Sequence, residues 1–433
     1  MATEGRAMDL VVKNAKPWRG GEIRNLYIAD GKFAEAKAAD GAEVIDAAGR
    51  LCVAGFVEPH IHLDKALINE DMRPNVSGTL DEAIEIIWER KRVYDTEEIA
   101  ARAGRVIRSA LANGVTRIRS HVDVDNIGGL RPLEGVAEAR RRHGEVMDIQ
   151  IVAFPQEGIL RNKGAEELMW QAMEAGADVV GGMPFNEKHP QDSARHISIA
   201  FEIAKKYDAD IDMHVDETDD IGARTLEMLA EQTLEHGWQG RVTAGHTCAL
   251  AGYDEDYANS VIALVREAGI HMITNPATNL MLQGRLDAQP KRRGITRVKE
   301  LLVAGINVSF GQDSVMDAFG SLNTGDVLDA AHMAVHAGQL SGRDEMIACF
   351  RAVTENSARA MGLEGYGLEV GCNADIVVLQ ATDAVEAIRL RPPRLYVIRR
   401  GRIIAESPAH EARLDLPGRP ETTDFARHTP APK

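Results

Sequence analysis

The segment from Gly55 to Asp64 reads GFVEPHIHLD, a short apolar run that ends in two histidines separated by one residue. Alternate side chains of a β-strand point to the same face, so His60 and His62 project together and can bind one metal ion. The segment therefore predicts a strand whose carboxyl end carries a metal-binding pair.

Outward from this segment, short apolar runs alternate with helix-rich stretches of roughly thirty residues, which is typical of repeated βα units around a parallel sheet. Eight such runs lie at residues 53–62, 115–122, 148–154, 177–181, 209–214, 241–246, 270–275 and 306–313. Three of the later runs end at His214, His246 and Asp313. Because barrel active sites form at the carboxyl ends of several strands, we predict a (β/α)8 barrel, with a doubly wound open sheet as the alternative.

A lone histidine at a strand end is more often an ordinary hydrogen-bonded residue than a metal ligand. A pair on the first barrel strand, single histidines on the fifth and sixth and an aspartate on the eighth together favour a metal centre at one mouth of the barrel.

The two ends of the chain have a different sequence pattern from the middle. At the ends, short β-rich runs are separated by turns such as Asp30-Gly31. We predict that residues 1–54 and 365–415 form one small β-sandwich domain, that residues 55–364 form the barrel, and that residues 416–433 are a loose tail.

Composition restricts the function. The chain has 433 residues, 44% of them hydrophobic, and a formal net charge of −16, which is typical of a folded protein that anionic membranes and nucleic acids repel. Its four cysteines form no CxxC pair, and the N-terminus lacks the apolar stretch of a signal peptide. We therefore expect a cytoplasmic protein that acts on a small molecule and binds neither nucleic acid nor a membrane.

Several motifs resemble those of the amidohydrolase superfamily and, within it, the cytosine deaminase-like subgroup. The resemblance spans nearly the whole chain. It rests on GFVEPHIHLD (55–64), HVDV (121–124), QIVAFPQEGI (150–159), HVDETDD (214–220), RVTAGHT (241–247) and QGRLDAQPKRRGITRVKELL (283–302).

The resemblance implies a barrel hydrolase that binds one divalent ion, zinc or iron, and commonly forms a homo-oligomer. The implied metal ligands are His60, His62, His214 and Asp313. His246 would act on the attacking water, Glu217 would carry protons to the ring nitrogen and the leaving amine, and Gln156 would bind the carbonyl and ring edge of the substrate. Two-metal members carry a lysine at the end of the fourth strand, where this chain reads DVVGGMPF, so we expect a single ion.

The chain departs from cytosine deaminases in the loop after the eighth run. Ser314 stands where a second carboxylate is expected, and Phe319 stands where those enzymes have a tryptophan. Both changes enlarge and neutralise that side of the pocket. We therefore expect a deaminase of a cytosine-like or larger heterocycle, such as isocytosine, isoguanine, a pterin or creatinine.

Three alternatives stay open. An N-alkyl aminotriazine hydrolase would release an alkylamine, and the segments at 121–125, 178–182 and 207–214 resemble such enzymes. A ring-opening cyclic amide hydrolase would give a carboxylate, and a binding protein would not turn over. His121 could contact substrate or make a structural hydrogen bond, whereas His332 and His336 are predicted to be surface or packing residues.

Overall fold

The computed structural model describes residues 9–36, 41–320, 322–418 and 421–423. The N-terminal region contributes strands that pack into a sheet of their own. They are β1 (Leu10–Pro17), β2 (Arg24–Ala29), β3 (Lys32–Ala34), β4 (Glu43–Asp46) and β5 (Leu51–Ala54).

The next eight strands form one parallel sheet in simple chain order, and helices alternate with them along the chain. They are β6 (Phe56–Ile61), β7 (Val115–Asp123), β8 (Asp148–Phe154), β9 (Val179–Gly182), β10 (Asp210–Val215), β11 (Val242–His246), β12 (His271–Thr274) and β13 (Val308–Phe310). A parallel bridge between Ile61 and Asp313 joins the last strand to the first. The predicted (β/α)8 barrel is thereby confirmed, and the open sheet is excluded.

The helices surround this barrel. They are α1 (Leu80–Lys91), α2 (Thr96–Ala112), α3 (Arg131–His143), α4 (Ala165–Glu174), α5 (Pro190–Tyr207), α6 (Thr225–Glu235), α7 (Glu255–Glu267), α8 (Pro276–Leu282), α9 (Val298–Val303), α10 (Val327–Ala337), α11 (Arg343–Ala352), α12 (Glu355–Ala360) and α13 (Ala384–Leu390). Helix α2 shows how they form: the Asp95 side chain caps its first turn, and Ile99, Ala103, Val106 and Ile107 bury one face at helical spacing. No helix in the described part of the chain has the length and hydropathy that a membrane span requires.

After the barrel the chain returns to the N-terminal sheet. The strands β14 (Ile376–Leu379), β15 (Arg394–Arg399) and β16 (Arg402–Glu406) continue it in the order β16-β15-β14-β5-β1-β2-β3. The predicted β domain built from both ends is therefore observed. A separate hairpin joins β17 (Ala412–Leu414) to β18 (Glu421–Thr423), and residues 424–433 of the predicted tail lie outside the described residues.

The run at 53–62 was expected to be one strand, but it spans two sheets. Val53 and Ala54 pair with β14 of the terminal sheet, whereas Phe56 begins the barrel. Gly55 makes this crossing possible, since a Cβ on it would lie 2.2 Å from Oγ1 of Thr116. A close approach of this kind leaves no trace in the hydropathy pattern.

Candidate metal centre and active site

The carboxyl end of the barrel brings the four predicted ligands together. Nε2 of His62 lies 3.2 Å from Nε2 of His214 and 3.1 Å from Oδ1 of Asp313. Nε2 of His60 lies 3.4 Å from the same carboxylate oxygen. All four side chains are buried, so these donors face one another without solvent between them.

Barrel closure places these residues. The backbone N–H of His62 donates to the carbonyl of Asp313 at 2.9 Å, and the N–H of Asp313 donates to the carbonyl of His60 at 2.8 Å. The hydrogen bonds that join the first and last strands are therefore made by the predicted ligand residues themselves.

The protonation of His62 shows what this cluster can hold. Its Nδ1 lies 3.0 Å from the carbonyl oxygen of His121, so Nδ1 carries the proton and donates it, and Nε2 is left with a lone pair. Burial, aided by the charge of Lys65, lowers the pKa of His62 to about 4, and the ring is neutral near pH 7. The His62 lone pair therefore faces a carboxylate oxygen with no proton between them.

Such an arrangement is repulsive unless a cation lies among the donors. Ligand atoms about 2.0–2.2 Å from a tetrahedral metal ion are themselves ~3.0–3.5 Å apart, and the three distances given above lie in that range. One group of four donors that lie within 4.8 Å of one another contains His246 in place of His62. Both ring nitrogens of His60 and Nδ1 of His214 also lack a hydrogen-bond partner among the described residues. The donor set thus fits a divalent cation, and three nitrogens with one carboxylate suit zinc or iron.

Two further predicted residues lie beside the donors. Nδ1 of His246 is 3.2 Å from Oε1 of Glu217, and Nδ2 of Asn279 lies 2.9 Å from the same ring nitrogen. A nitrogen of His246 also falls within 4.8 Å of ligand atoms of His60, His214 and Asp313. His246 and Glu217 therefore lie directly beside the proposed metal ligands.

Burial sets the protonation of this pair. Burial, together with the charge of Asp313, raises the pKa of Glu217 well above its usual range, and burial lowers the pKa of His246 to about 3. These shifts favour the carboxylic acid form of Glu217 and the neutral ring of His246, which are a proton donor and a proton acceptor.

The backbone is strained where these residues stand. His246 has a φ of 68° and Asp313 a φ of 63°. Both values lie in the left-handed region, which residues other than glycine rarely adopt. Strain of this kind persists only where the surrounding structure fixes it, and it concentrates at functional sites.

The predicted substrate residues share a cavity with the metal donors. Gln156, Ser314 and Phe319 line a small cavity of about 20 Å³. The remaining lining residues are His62, Leu80, Ile84, Phe154, Met183, His214, Glu217, Thr278 and Asp313. A volume of this size holds about one water molecule, so a heterocycle can enter only if the cavity walls move apart.

The other histidines lie elsewhere. His121 stacks on His60 at a centroid distance of 4.0 Å, and its Nε2 is 3.5 Å from Oδ1 of Asp212. His121 therefore contacts the proposed metal ligand His60 but does not line the cavity. His332 and His336 lie next to each other on α10, with ring centroids 4.5 Å apart, and neither lines the cavity, as the sequence indicated.

Sequence reasoning missed a buried charged network behind the cavity. Nζ of Lys65 lies 2.6 Å from Oδ1 of Asp123, and Nζ of Lys91 lies 2.8 Å from Oδ2 of the same aspartate. Lys91 also pairs with Asp125 at 2.5 Å and with Glu157 at 2.9 Å. The signal available was the density of charge in HLDK and HVDVD at two strand ends.

A barrel with histidine and aspartate donors gathered at the carboxyl ends of its strands defines a metal-dependent hydrolase. The chain belongs to the amidohydrolase family, whose model, described as "Amidohydrolase family", matches residues 75–405. The resemblance drawn from the motifs is thereby confirmed.

Individual relatives agree in fold and extent. The chain is similar to the crystal structure of a 5-methylcytosine deaminase from Klebsiella pneumoniae liganded with 5-fluorocytosine, with 38% identity and a TM-score of 0.89, covering 94% of this chain and 100% of that one. It is 29% identical to the N-isopropylammelide isopropyl amidohydrolase of Pseudomonas sp. (strain ADP), over 92% of this chain and 97% of the relative. It is 31% identical to a pterin deaminase of Rhizobium rhizogenes, over 83% of this chain and 82% of the relative.

These relatives are named as hydrolytic deaminases and amidohydrolases. The chain is accordingly a hydrolase that acts on carbon–nitrogen bonds other than peptide bonds.

Proposed function

We propose that the protein is a hydrolytic deaminase of a 4-amino-2-oxopyrimidine, the cytosine type of ring, and that it accepts a substituent at C5. The observation that carries this proposal is the shared cavity: Glu217, Gln156 and Ser314 line the same small space as the metal donors His62, His214 and Asp313.

The reaction adds water at C4 and expels ammonia, so a C–O bond forms and a C–N bond breaks. A divalent ion held by His60, His62, His214 and Asp313 would supply the Lewis acidity that makes water nucleophilic near neutral pH. The neutral ring of His246 can accept a proton from the attacking water.

Glu217 supplies the proton that the leaving group requires. Its raised pKa favours the carboxylic acid form, which can donate to ring nitrogen N3 as the C–O bond forms. The carboxylate so formed takes the proton from the added hydroxyl group and passes it to the amine, which leaves as ammonia. Glu217 therefore acts in turn as acid, base and acid. The proton that His246 took from the water then passes to Glu217, whose Oε1 lies 3.2 Å from Nδ1 of His246, and this restores both groups.

The cavity walls orient the ring. Phe154 and Phe319 provide apolar surface for a flat heterocycle, and the Gln156 amide offers a polar partner for its 2-oxo edge. Leu80 and Ile84 of α1 add apolar lining, which helps to exclude water.

Tolerance of a C5 substituent follows from Ser314. This side chain is buried, lines the cavity and is smaller than the carboxylate that cytosine deaminases have there. Carbon C5 adjoins the reacting C4, so space beside the amino group is also space for a small group on C5. Similarity to a solved structure titled 5-methylcytosine deaminase supports the same conclusion.

Isocytosine, isoguanine, a pterin or creatinine are the other amines to consider. The similarity to the N-isopropylammelide enzyme supports a second candidate, the release of an alkylamine from a substituted triazine. Both candidates use the same acid and metal centre and differ in the amine that leaves.

The test is amine release by protein reconstituted with zinc or with iron. The panel consists of 5-methylcytosine, cytosine, isocytosine, isoguanine, pterin, creatinine and N-isopropylammelide. We expect ammonia from 5-methylcytosine, at a kcat/KM above that for the other compounds. Isopropylamine from the triazine alone would replace the proposal with the second candidate, and a ring-opened carboxylate would replace it with amide hydrolysis.

A further inference from the structure

Lys65 lies directly behind the wall of the cavity. Its ammonium is fully buried, and its Nζ is 5.5 Å from the ring centroid of Phe154 and 5.7 Å from that of Phe319. Both rings line the cavity. Nζ also lies 2.6 Å from Oε1 of Gln156, so this lysine contacts a substrate-facing side chain without lining the cavity itself.

This contact determines the orientation of the Gln156 side-chain amide. An ammonium has three donors and no acceptor, so the atom that faces it must be the amide oxygen. The amide nitrogen therefore points away from Lys65. It is buried and has no hydrogen-bond partner among the described residues, so its N–H groups are available to a ligand in the cavity.

The rest of Gln156 is fixed as well. Nδ2 of Asn186 donates to the carbonyl of Gln156 at 2.7 Å, which anchors its main chain. With backbone and side-chain oxygen both engaged, rotation of the amide would break a charge-assisted hydrogen bond inside the protein.

The surrounding carboxylates keep Lys65 charged. Burial opposes the ammonium form, but Asp123 and Asp64 outweigh it and raise the pKa of Lys65 above its ordinary value. Asp123 is shared with Lys91. The two lysines thus bind opposite oxygens of one carboxylate, and only Lys65 reaches Gln156.

We propose that Lys65 is a positioning residue that holds the Gln156 amide with its nitrogen toward the cavity, so that the site selects a ring with an acceptor oxygen at that edge. This inference rests on the proposed deaminase function and adds the reason for a 2-oxo preference. A ring with an amino group in place of the 2-oxo group would bring donor against donor and leave both buried groups unpaired.

The first test compares 5-methylcytosine with 2,4-diamino-5-methylpyrimidine, whose 2-position is a donor. For the unmodified protein we expect a preference of about 100-fold or more in kcat/KM for the 2-oxo ring. Lys65→Met removes the ammonium at similar side-chain length, and we expect that preference to fall at least about tenfold, chiefly through a raised KM for the 2-oxo ring.

Lys91→Met is the matched control. It removes the same charge from the same aspartate but does not contact Gln156. We expect it to lower stability and to keep the preference between the two rings. An unchanged preference in Lys65→Met, or an equal loss in both variants, would overturn the positioning role.

Gln156→Glu covers the case in which Lys65→Met does not fold. The new carboxylate would bind Lys65 through one oxygen and present the other, an acceptor, to the cavity. We expect the preference to shift toward the 2-amino ring by at least about 100-fold relative to the unmodified protein. Retention of the 2-oxo preference would contradict a fixed amide orientation.

A readout without turnover separates this inference from the deaminase proposal. In protein labelled with ¹⁵N at glutamine side chains, Gln156→Ala identifies the NH₂ signals of Gln156. We expect these signals to shift and to exchange faster with solvent in Lys65→Met but not in Lys91→Met. Signals unchanged in both variants would overturn the inference, whereas the expected shift in a protein that releases no ammonia would overturn the deaminase proposal alone.

Discussion

Nε2 of His62 lies 3.2 Å from Nε2 of His214, and both rings are buried. Burial lowers the pKa of both rings, and the N–H of His62 is committed to the carbonyl of His121. The lone pair of His62 Nε2 therefore faces the His214 ring at close range, and a divalent ion between the two nitrogens would use one lone pair from each.

The amount of bound metal should depend on both His62 and His214. We expect His62→Ala and His214→Ala to lose nearly all bound zinc or iron, because either change removes a ligand atom and affinity falls steeply with ligand number. His332→Ala, on α10 outside the site, should keep its metal. Elemental analysis of dialysed protein measures this, and full metal content in His214→Ala would exclude the ligand set.

Glu217 is expected to carry most of the acid catalysis. Glu217→Gln keeps the shape of the side chain but cannot transfer a proton, so kcat should fall by about 10²–10⁴-fold. Metal content should stay unchanged, since Glu217 is not among the proposed ligands. A loss of less than about tenfold in kcat at full metal loading would assign the proton transfer to another group.

Much of this site could be predicted from the sequence because the regular geometry of strands and of the barrel determines where its side chains lie. The two-residue period of a strand joins His60 to His62, and parallel strands deliver His214, His246 and Asp313 to one barrel mouth. The structure brings all of these together with Gln156 and Glu217.

The network behind the cavity could not be predicted in the same way. Lys65 reaches Gln156 across 91 positions of sequence, through loops whose conformations no periodicity encodes. Lys91 ends α1, where a lysine normally completes a solvated last turn, and only the packing of α1 over the barrel buries it.

Ser314 should control the response to a C5 substituent. Ser314→Asp restores a larger side chain beside the amino group, so we expect the ratio of kcat/KM for 5-methylcytosine to that for cytosine to fall by about tenfold or more. Ser314→Asn, with the same shape and no charge, should lower the ratio as well, because the effect is steric. A ratio that rises or stays constant in both variants would place the C5 group elsewhere.

His271 should make stability depend on pH. It is buried at the start of β12, where Nε2 lies 3.3 Å from the carbonyl of Gly240 and Nδ1 lies 3.1 Å from Nδ2 of Asn307. Burial lowers its pKa from the ordinary value of 6.5 to about 4. The unfolded chain therefore binds the proton first as pH falls, and the stabilisation is complete above about pH 6.5 and lost toward pH 4.

Urea denaturation of the unmodified protein and of His271→Gln measures this effect. Between about pH 7.5 and about pH 5.5 the unmodified protein should lose about 1 kcal/mol more of its free energy of unfolding than the variant. Equal losses would mean that His271 titrates normally in the folded state.

The most direct test of the proposed function is the fate of oxygen during turnover. Metal-loaded protein is incubated with 5-methylcytosine in water labelled with ¹⁸O. The mass of the product is measured by mass spectrometry, and the released ammonia is quantified. We expect a 2,4-dioxopyrimidine with a single labelled oxygen at C4 and one ammonia per product. An unlabelled or ring-opened product, or no product from fully loaded protein, would contradict hydrolytic deamination at C4.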